Sequence, residues 1–345
     1  MSVSSDTSGK KYAISLVDVQ AAAQRIKGYV HRTPIMTCRT LDALAGRHLV
    51  FKPENLQKVG AFKARGAFNA VLSIRETSPD TLKKGVITHS SGNHAQALAL
   101  AARDAKCPAH IIMPSNAPSV KKDAVRGYGA TVHECEPTLE AREATARAVE
   151  KETGGVFIHP YNNPLIMAGQ GTVALELLEQ AEEARTPLDA VLVQVGGGGL
   201  LSGCTITLKS LRPEVKVFAA EPKGADDTYR SLKSGKWVPS IRPDTVADGL
   251  LTSTGDLTFP IIKDQIDDIF VVDDREIIRA TKLVWERMKL VIEPSAAVTL
   301  AVALYNADFK RAAEGCKNIG VVFSGGNVDF ERAVTLFKTL EELDS

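Results

Sequence analysis

Hydrophobic positions along this chain gather into short continuous runs, and alanine-rich amphipathic stretches separate them. GVITHS at 85–90 reads as a buried strand. A helix over 91–105 follows, with Ser91 and Asn93 near its start and Arg103 near its end. The alternation continues with a strand at 109–113, a helix at 119–128, a strand at 130–135, a helix at 139–152 and a strand at 156–159. A second set begins near residue 170. It comprises helices at 172–184, 275–289 and 295–305, and strands at 190–195, 215–220, 269–272 and 319–323.

Strands that alternate with helices predict an α/β fold with two open, twisted, mostly parallel sheets. The residues before 85 carry no complete sheet of their own and are expected to pack on the second set. That makes a discontinuous large domain of 1–84 and 163–345 around a small domain of 85–162.

A length of 345 residues suits two moderate domains. A net charge of +1 gives no global field for nucleic acid or a membrane surface. No run of 18 apolar residues suggests a spanning helix. The polar start, MSVSSDTSGKKYAIS, lacks the apolar stretch of a signal peptide and reads as a short disordered lead. Cys38, Cys107, Cys135, Cys204 and Cys316 are odd in number and lack metal-ligand spacing, as expected of reduced thiols in a cytoplasmic protein.

Four motifs carry candidate chemistry. Gly196, Gly197, Gly198 and Gly199 follow the apolar run AVLVQV directly. Glycine weakens regular elements, so four together suit a strand-to-helix junction whose bare N–H groups receive a phosphate; the plain alternative is a flexible turn. The run is neither GxGxxG nor a P-loop, which disfavours an NAD-dependent dehydrogenase or a nucleoside triphosphatase. Lys63 stands between Phe62 and Ala64. Desolvation there makes its amine nucleophilic toward an aldehyde, whereas the alternative is a solvated helix lysine beside Arg65. Ser90, Ser91, Gly92, Asn93 and His94 occupy a strand–helix junction suited to a carboxylate or to simple capping. Ser324 opens SGGN after the last strand, where α/β sheets bind ligands or make a glycine turn.

Together the motifs resemble the fold-type II pyridoxal-phosphate (PLP) enzymes, of tryptophan synthase β-like fold, in the serine racemase and threonine dehydratase family. The resemblance runs from HRTP at His31 to SGGNVD at Asp329, through GAFKARGA, THSSGNHAQA, AGQGT, VGGGGL, AAEPKGADD, ADGL, WERMK and IEPSA in the family's order. It implies a small amino-acid substrate, and Lys63 as the Schiff-base lysine and one proton-transfer base. It also implies phosphate binding by Gly196 to Gly199, a contact from Asn93 to the phenolic oxygen, and Phe62 packed on the ring. Ser324 would meet the ring nitrogen, with Gly249 and Glu293 lining the pocket.

Ser91 would act on the opposite face of the substrate, where typical threonine dehydratases of the family carry alanine. Racemisation of serine with accompanying dehydration is therefore expected. A catabolic threonine/serine dehydratase or a hydroxyaspartate dehydratase is the alternative, and a non-catalytic ligand-binding protein is a third class. Arg142 matches an arginine near the substrate. Glu221, Ala225 and Asp227 would hold Mg²⁺ or Ca²⁺. Met36-Thr37-Cys38-Arg39-Thr40 departs from the segment that animal members use for ATP, although Lys58 and Lys289 remain, so ATP is a weak expectation. Tyr161 replaces an asparagine of some animal members. A C2 homodimer is the prior for such an enzyme.

Overall fold

Apolar β-runs pair in parallel throughout the computed structural model, which describes residues 12–344. Most of the polar lead expected at the N-terminus lies outside the described residues. The strands are β1 (His48–Pro53), β2 (Val86–His89), β3 (Ala109–Pro114), β4 (Thr131–Cys135), β5 (Val156–Phe157), β6 (Ala190–Gln194), β7 (Lys216–Pro222), β8 (Asp268–Val272) and β9 (Asn318–Phe323). A five-stranded sheet has the order β1-β9-β6-β7-β8, and a four-stranded sheet the order β4-β3-β2-β5. The expected α/β architecture of two parallel sheets is the one observed. β1, which no expected strand covered, joins the large sheet by pairing with β9 from His48↔Asn318 to Pro53↔Phe323.

Side-chain alternation explains why the large sheet is covered on both faces. In β6, Ala190 and Leu192 enter one core while Val191 and Val193 enter the other. In β7, Phe218 and Ala220 face the first core, and Val217 and Ala219 the second. Strands buried on both faces must be apolar at every position, which is the pattern of AVLVQ. The Pro294–Tyr305 helix closes the first face and is buried all round from Pro294 to Leu304, as its largely apolar sequence requires. Beneath the small sheet, Val86, Ile111 and Met113 share a core with Ala64, Ala67, Phe68 and Val71 of the Lys63–Thr77 helix. That helix thus leaves the edge of one sheet and packs under the other.

Three expected boundaries move. The helix expected at 172–184 begins at Pro164, capped by Asn163, whose side chain accepts from Leu165 N and Ile166 N. AGQGT is therefore inside a helix, where a Cβ at Gly169 would lie 2.5 Å from the Gly66 Cα, and one at Gly171 2.8 Å from the Gly203 oxygen. These glycines let three helices approach backbone to backbone, a demand that one helix's periodicity does not reveal. The strand expected at 156–159 stops at Phe157, because His159 Nδ1 accepts the N–H groups of Tyr161 (3.3 Å) and Asn162 (3.0 Å) and turns the chain. The helix expected from residue 91 starts at Asn93, with Gly92 as its N-cap.

Candidate active site

The carboxyl ends of β9, β6 and β2 deliver Ser324, the glycine run and Ser90 to one region, as strand ends do in parallel sheets. Lys63 enters it as the first residue of the Lys63–Thr77 helix. Its Nζ donates to the Pro160 carbonyl at 2.9 Å and lies 5.2 Å from the centre of the Phe62 ring. Burial lowers its amine to about 8, against the opposing pull of the Glu293 carboxylate. At that value a sizeable share of the amine is neutral and nucleophilic near neutral pH.

Arg65, to which sequence reasoning assigned no role, is completely buried. Its Nε and Nη2 clasp Glu54 at 2.7 and 2.8 Å, and Nη1 and Nη2 clasp Glu176 at 2.7 and 2.9 Å. Lys52, also buried, bonds Glu176 at 2.7 Å, the Thr33 carbonyl at 2.7 Å and Gln180 at 2.8 Å. Two cations and two carboxylates cancel. The bidentate geometry fixes the first turn of the helix that bears Lys63.

Gly199 begins the Gly199–Leu211 helix, so the glycine run sits at a helix N-terminus. Gly198 has φ +86°, a conformation that side-chain-bearing residues rarely adopt. A Cβ on Gly197 would fall closer than 3.0 Å to three atoms of the Tyr161 ring. A Cβ on Gly196 would stand 3.0 Å from the Leu250 Cα, and one on Gly199 3.1 Å from the Tyr161 Cα. Gly197 and Gly198 therefore admit no Cβ without displacement, Gly196 and Gly199 are closely packed, and bare backbone at a positive helix end fits a phosphate. Thr258, which the sequence reading passed over, is fully buried and donates to the Gly197 carbonyl at 2.9 Å.

A polar chain joins the remaining residues. Asn93 Nδ2 donates to Glu293 Oε1 at 3.1 Å, while Asn93 Oδ1 accepts from Asn327 at 2.8 Å. Burial raises Glu293 to about 7, although the Asn93 bond opposes the rise. Ser324 accepts the Phe62 N–H on its carbonyl at 3.0 Å. Gly249 N donates to Ser295 at 2.9 Å, and a Cβ on Gly249 would lie 3.7 Å from Glu293. Lys63, Phe62, Asn93, the glycine run, Gly249, Glu293 and Ser324 thus belong to one neighbourhood. Asn327 was legible only as part of SGGN; its role in holding Asn93 is a tertiary fact.

The turn from Ser90 to Gly92 is partly exposed between β2 and the Asn93–Ala105 helix, while His94 is 2% exposed and held neutral, far below its usual range, chiefly by burial. Arg142 bonds its own turn through Thr138 O at 3.3 Å. Burial and then the Arg142 charge lower His89.

Glu221 is the penultimate residue of β7, Ala225 lies in the next short turn, and Asp227 opens the Asp227–Ser234 helix. Glu221 accepts the N–H groups of Thr228 (3.1 Å) and Tyr229 (2.8 Å), so it also caps that helix. Burial, then the charge of Asp227, raises Glu221 to about 8, and burial raises Asp227 to about 6. Asp226 turns to Arg230 at 2.7 Å. Among the described residues no three metal-ligating side chains gather, so this pair needs backbone or water oxygens to complete a shell. The basic residues considered for ATP have partners within the chain: Lys58 sits 5.4 Å from the Phe68 ring centre, and Lys289 donates to the Glu286 carbonyl. No helix of the described residues is long and apolar enough to cross a membrane.

Residues 26–325 match the family of pyridoxal-phosphate dependent enzymes. The chain is 53% identical to the serine racemase of Dictyostelium discoideum over 319 residues, covering 92% of this chain and 95% of that one. It is 47% identical over 321 residues to a beta-hydroxyaspartate dehydratase of Paracoccus denitrificans, covering 93% and 98%. The solved structure of maize serine racemase superposes with a TM-score of 0.90 at 44% identity, covering 97% of this chain and 100% of that one. A desolvated lysine, a glycine run at a helix N-terminus and a family match spanning both sheets agree: the chain belongs to the pyridoxal-phosphate dependent enzymes.

Proposed function

We propose that this protein racemises serine and, as a companion reaction, dehydrates serine to pyruvate and ammonia. What supports the reading is the desolvated amine at Lys63 together with Ser91 in the turn that follows β2. Ser91 is two residues from Asn93, whose amide bonds the same Glu293 that acts on Lys63. Racemisation requires a proton removed on one face of the substrate Cα and returned on the other. Lys63 serves one face and the Ser91 hydroxyl the other.

Pyridoxal phosphate, when bound, supplies the electron withdrawal that makes the Cα proton removable. The glycine run and the start of the Gly199–Leu211 helix would hold its phosphate. Phe62 would pack on its ring and Ser324 would meet its ring nitrogen. A serine neither protonates that nitrogen nor neutralises a positive charge on it. Asn93, whose Nδ2 donates to both Glu293 oxygens, would hold the cofactor's phenolic oxygen. Ser90 to Gly92 and the start of the next helix receive the substrate carboxylate, with Arg142 at the rim.

The reading extends to Mg²⁺ or Ca²⁺ at Glu221, Asp227 and the Ala225 carbonyl. Asp227 Oδ2 is buried without a hydrogen-bond partner, and two buried carboxylates side by side favour a cation over mutual repulsion. Dehydration without racemisation is the second reading, supported by the similarity to the Paracoccus enzyme. Chiral analysis of products from L-serine, L-threonine and β-hydroxyaspartate, with and without Mg²⁺, tests both readings. D-serine with pyruvate is expected from L-serine; pyruvate alone rejects racemisation.

A further inference from the structure

Two imidazoles outside the cofactor site face each other on the small sheet. His110 is the second residue of β3 and His133 the third of β4. The parallel register pairs His110 with Thr131 and Ile112 with His133, so the two histidines are diagonal neighbours on one face. Ile112 and Cys135 share that face and pack with Ala146 and Val149 of the Leu139–Thr153 helix. His110 Nδ1 lies 3.0 Å from His133 Nε2, and the ring planes are tilted by 42°. Both side chains are half-buried, so water reaches them. His110 lies near the amino end of its strand, whereas the cofactor residues gather at carboxyl strand ends. Nitrogens this close share one proton: one ring donates and the other accepts. Burial, and then the charge of His133, lowers His110, which keeps the pair neutral and able to ligate.

We propose that His110 and His133 form a two-histidine site for a transition-metal ion such as Zn²⁺ or Ni²⁺, separate from the carboxylate pair at Glu221 and Asp227. Imidazole nitrogens hold Zn²⁺ at about 2.0–2.1 Å, which sets neighbouring ligands about 3.0–3.4 Å apart across octahedral or tetrahedral angles. The observed 3.0 Å is within that span, so a small turn of the two rings aims both lone pairs at one ion. The donor ring moves its N–H to its other nitrogen, and the neutral pair releases no net proton. The Glu152 charge reaches His110 and favours a cation there. Among the described residues no three metal-ligating side chains gather, so water completes the shell. Ligand type separates the two sites: imidazole suits Zn²⁺, Ni²⁺ and Cu²⁺, whereas carboxylate and carbonyl oxygens suit Mg²⁺ and Ca²⁺. An ion held by both rings ties β3 to β4 and stabilises the small sheet, because it binds the folded pair and not the unfolded chain.

The test uses holoenzyme with Ni²⁺ as probe, in excess Mg²⁺ so that sites for hard cations are already filled. Calorimetry measures Ni²⁺ binding, and thermal unfolding with and without Ni²⁺ measures stabilisation. Wild-type protein should bind Ni²⁺ and unfold at a higher temperature in its presence. His110→Gln and His133→Gln should each weaken binding by at least about tenfold, since even the outer partners of a metal ligand are worth that much. Each variant is compared with its own metal-free unfolding, so a less stable variant still reports the site. The two substitutions lie on neighbouring strands, and either one alone reads the same ion where the other folds poorly. Wild-type protein that binds no Ni²⁺ overturns the proposal. Wild-type affinity retained in either variant also overturns it, and places the ion on other groups such as the free thiols.

Discussion

Replacing Gly197 by alanine tests the phosphate cradle directly. The new methyl would sit well inside the contact distance of the Tyr161 ring, and roughly 1 Å of movement is needed to restore an ordinary 3.4 Å contact. Tyr161 cannot swing away freely, because the N–H groups at 161 and 162 are held by His159. The Gly197 carbonyl is also tied to buried Thr258. Overpacking of this kind costs about 1–3 kcal/mol. If that strain falls on the cradle, PLP binds about 5- to 150-fold more weakly, since each 1.4 kcal/mol is tenfold. Titration of cofactor-free protein with PLP, followed by absorbance, gives the affinity, and thermal unfolding of the same protein separates lost binding from lost folding. Tyr161→Ala in the Gly197→Ala background should recover part of the loss. Wild-type PLP affinity in Gly197→Ala would refute the cradle, and no recovery in the double variant would show that Tyr161 is not the obstacle.

Other outcomes follow from the same geometry. Ser91→Ala should lose D-serine formation from L-serine more than pyruvate formation; equal loss of both, measured by chiral chromatography and a keto-acid assay, removes its assignment to the second face. Arg65→Met leaves Glu54 and Glu176 buried without their shared cation and should destabilise the fold by about 3–5 kcal/mol in denaturant titration, whereas a change below about 1 kcal/mol would mean that the network is not what anchors the Lys63 helix. The neutral amine is the form that captures an aldehyde, so the rate at which cofactor-free protein takes up PLP should rise with pH and level off above about 8, the value to which burial lowers Lys63. A rise that continues to the ordinary lysine value of 10.5 would contradict that desolvation.

The sequence by itself determined the alternation of strand and helix, the parallel sheets and the cofactor family. Strands buried on both faces must be apolar throughout, and a phosphate cradle must be glycine, so AVLVQV followed by four glycines is legible without coordinates. Helix ends near AGQGT were not legible, because Gly169 and Gly171 are demanded by the Gly66 and Gly203 backbones of other helices. The burial of Arg65 was not legible, because its partners Glu54 and Glu176 lie on other elements. Thr258, Asn327 and the Pro160 carbonyl gave no local signal, since each acts on a residue far along the chain. Local pattern records what each segment must bury or bare. Which charges meet, and which hydroxyl holds which loop, is decided only when segments distant in sequence pack together.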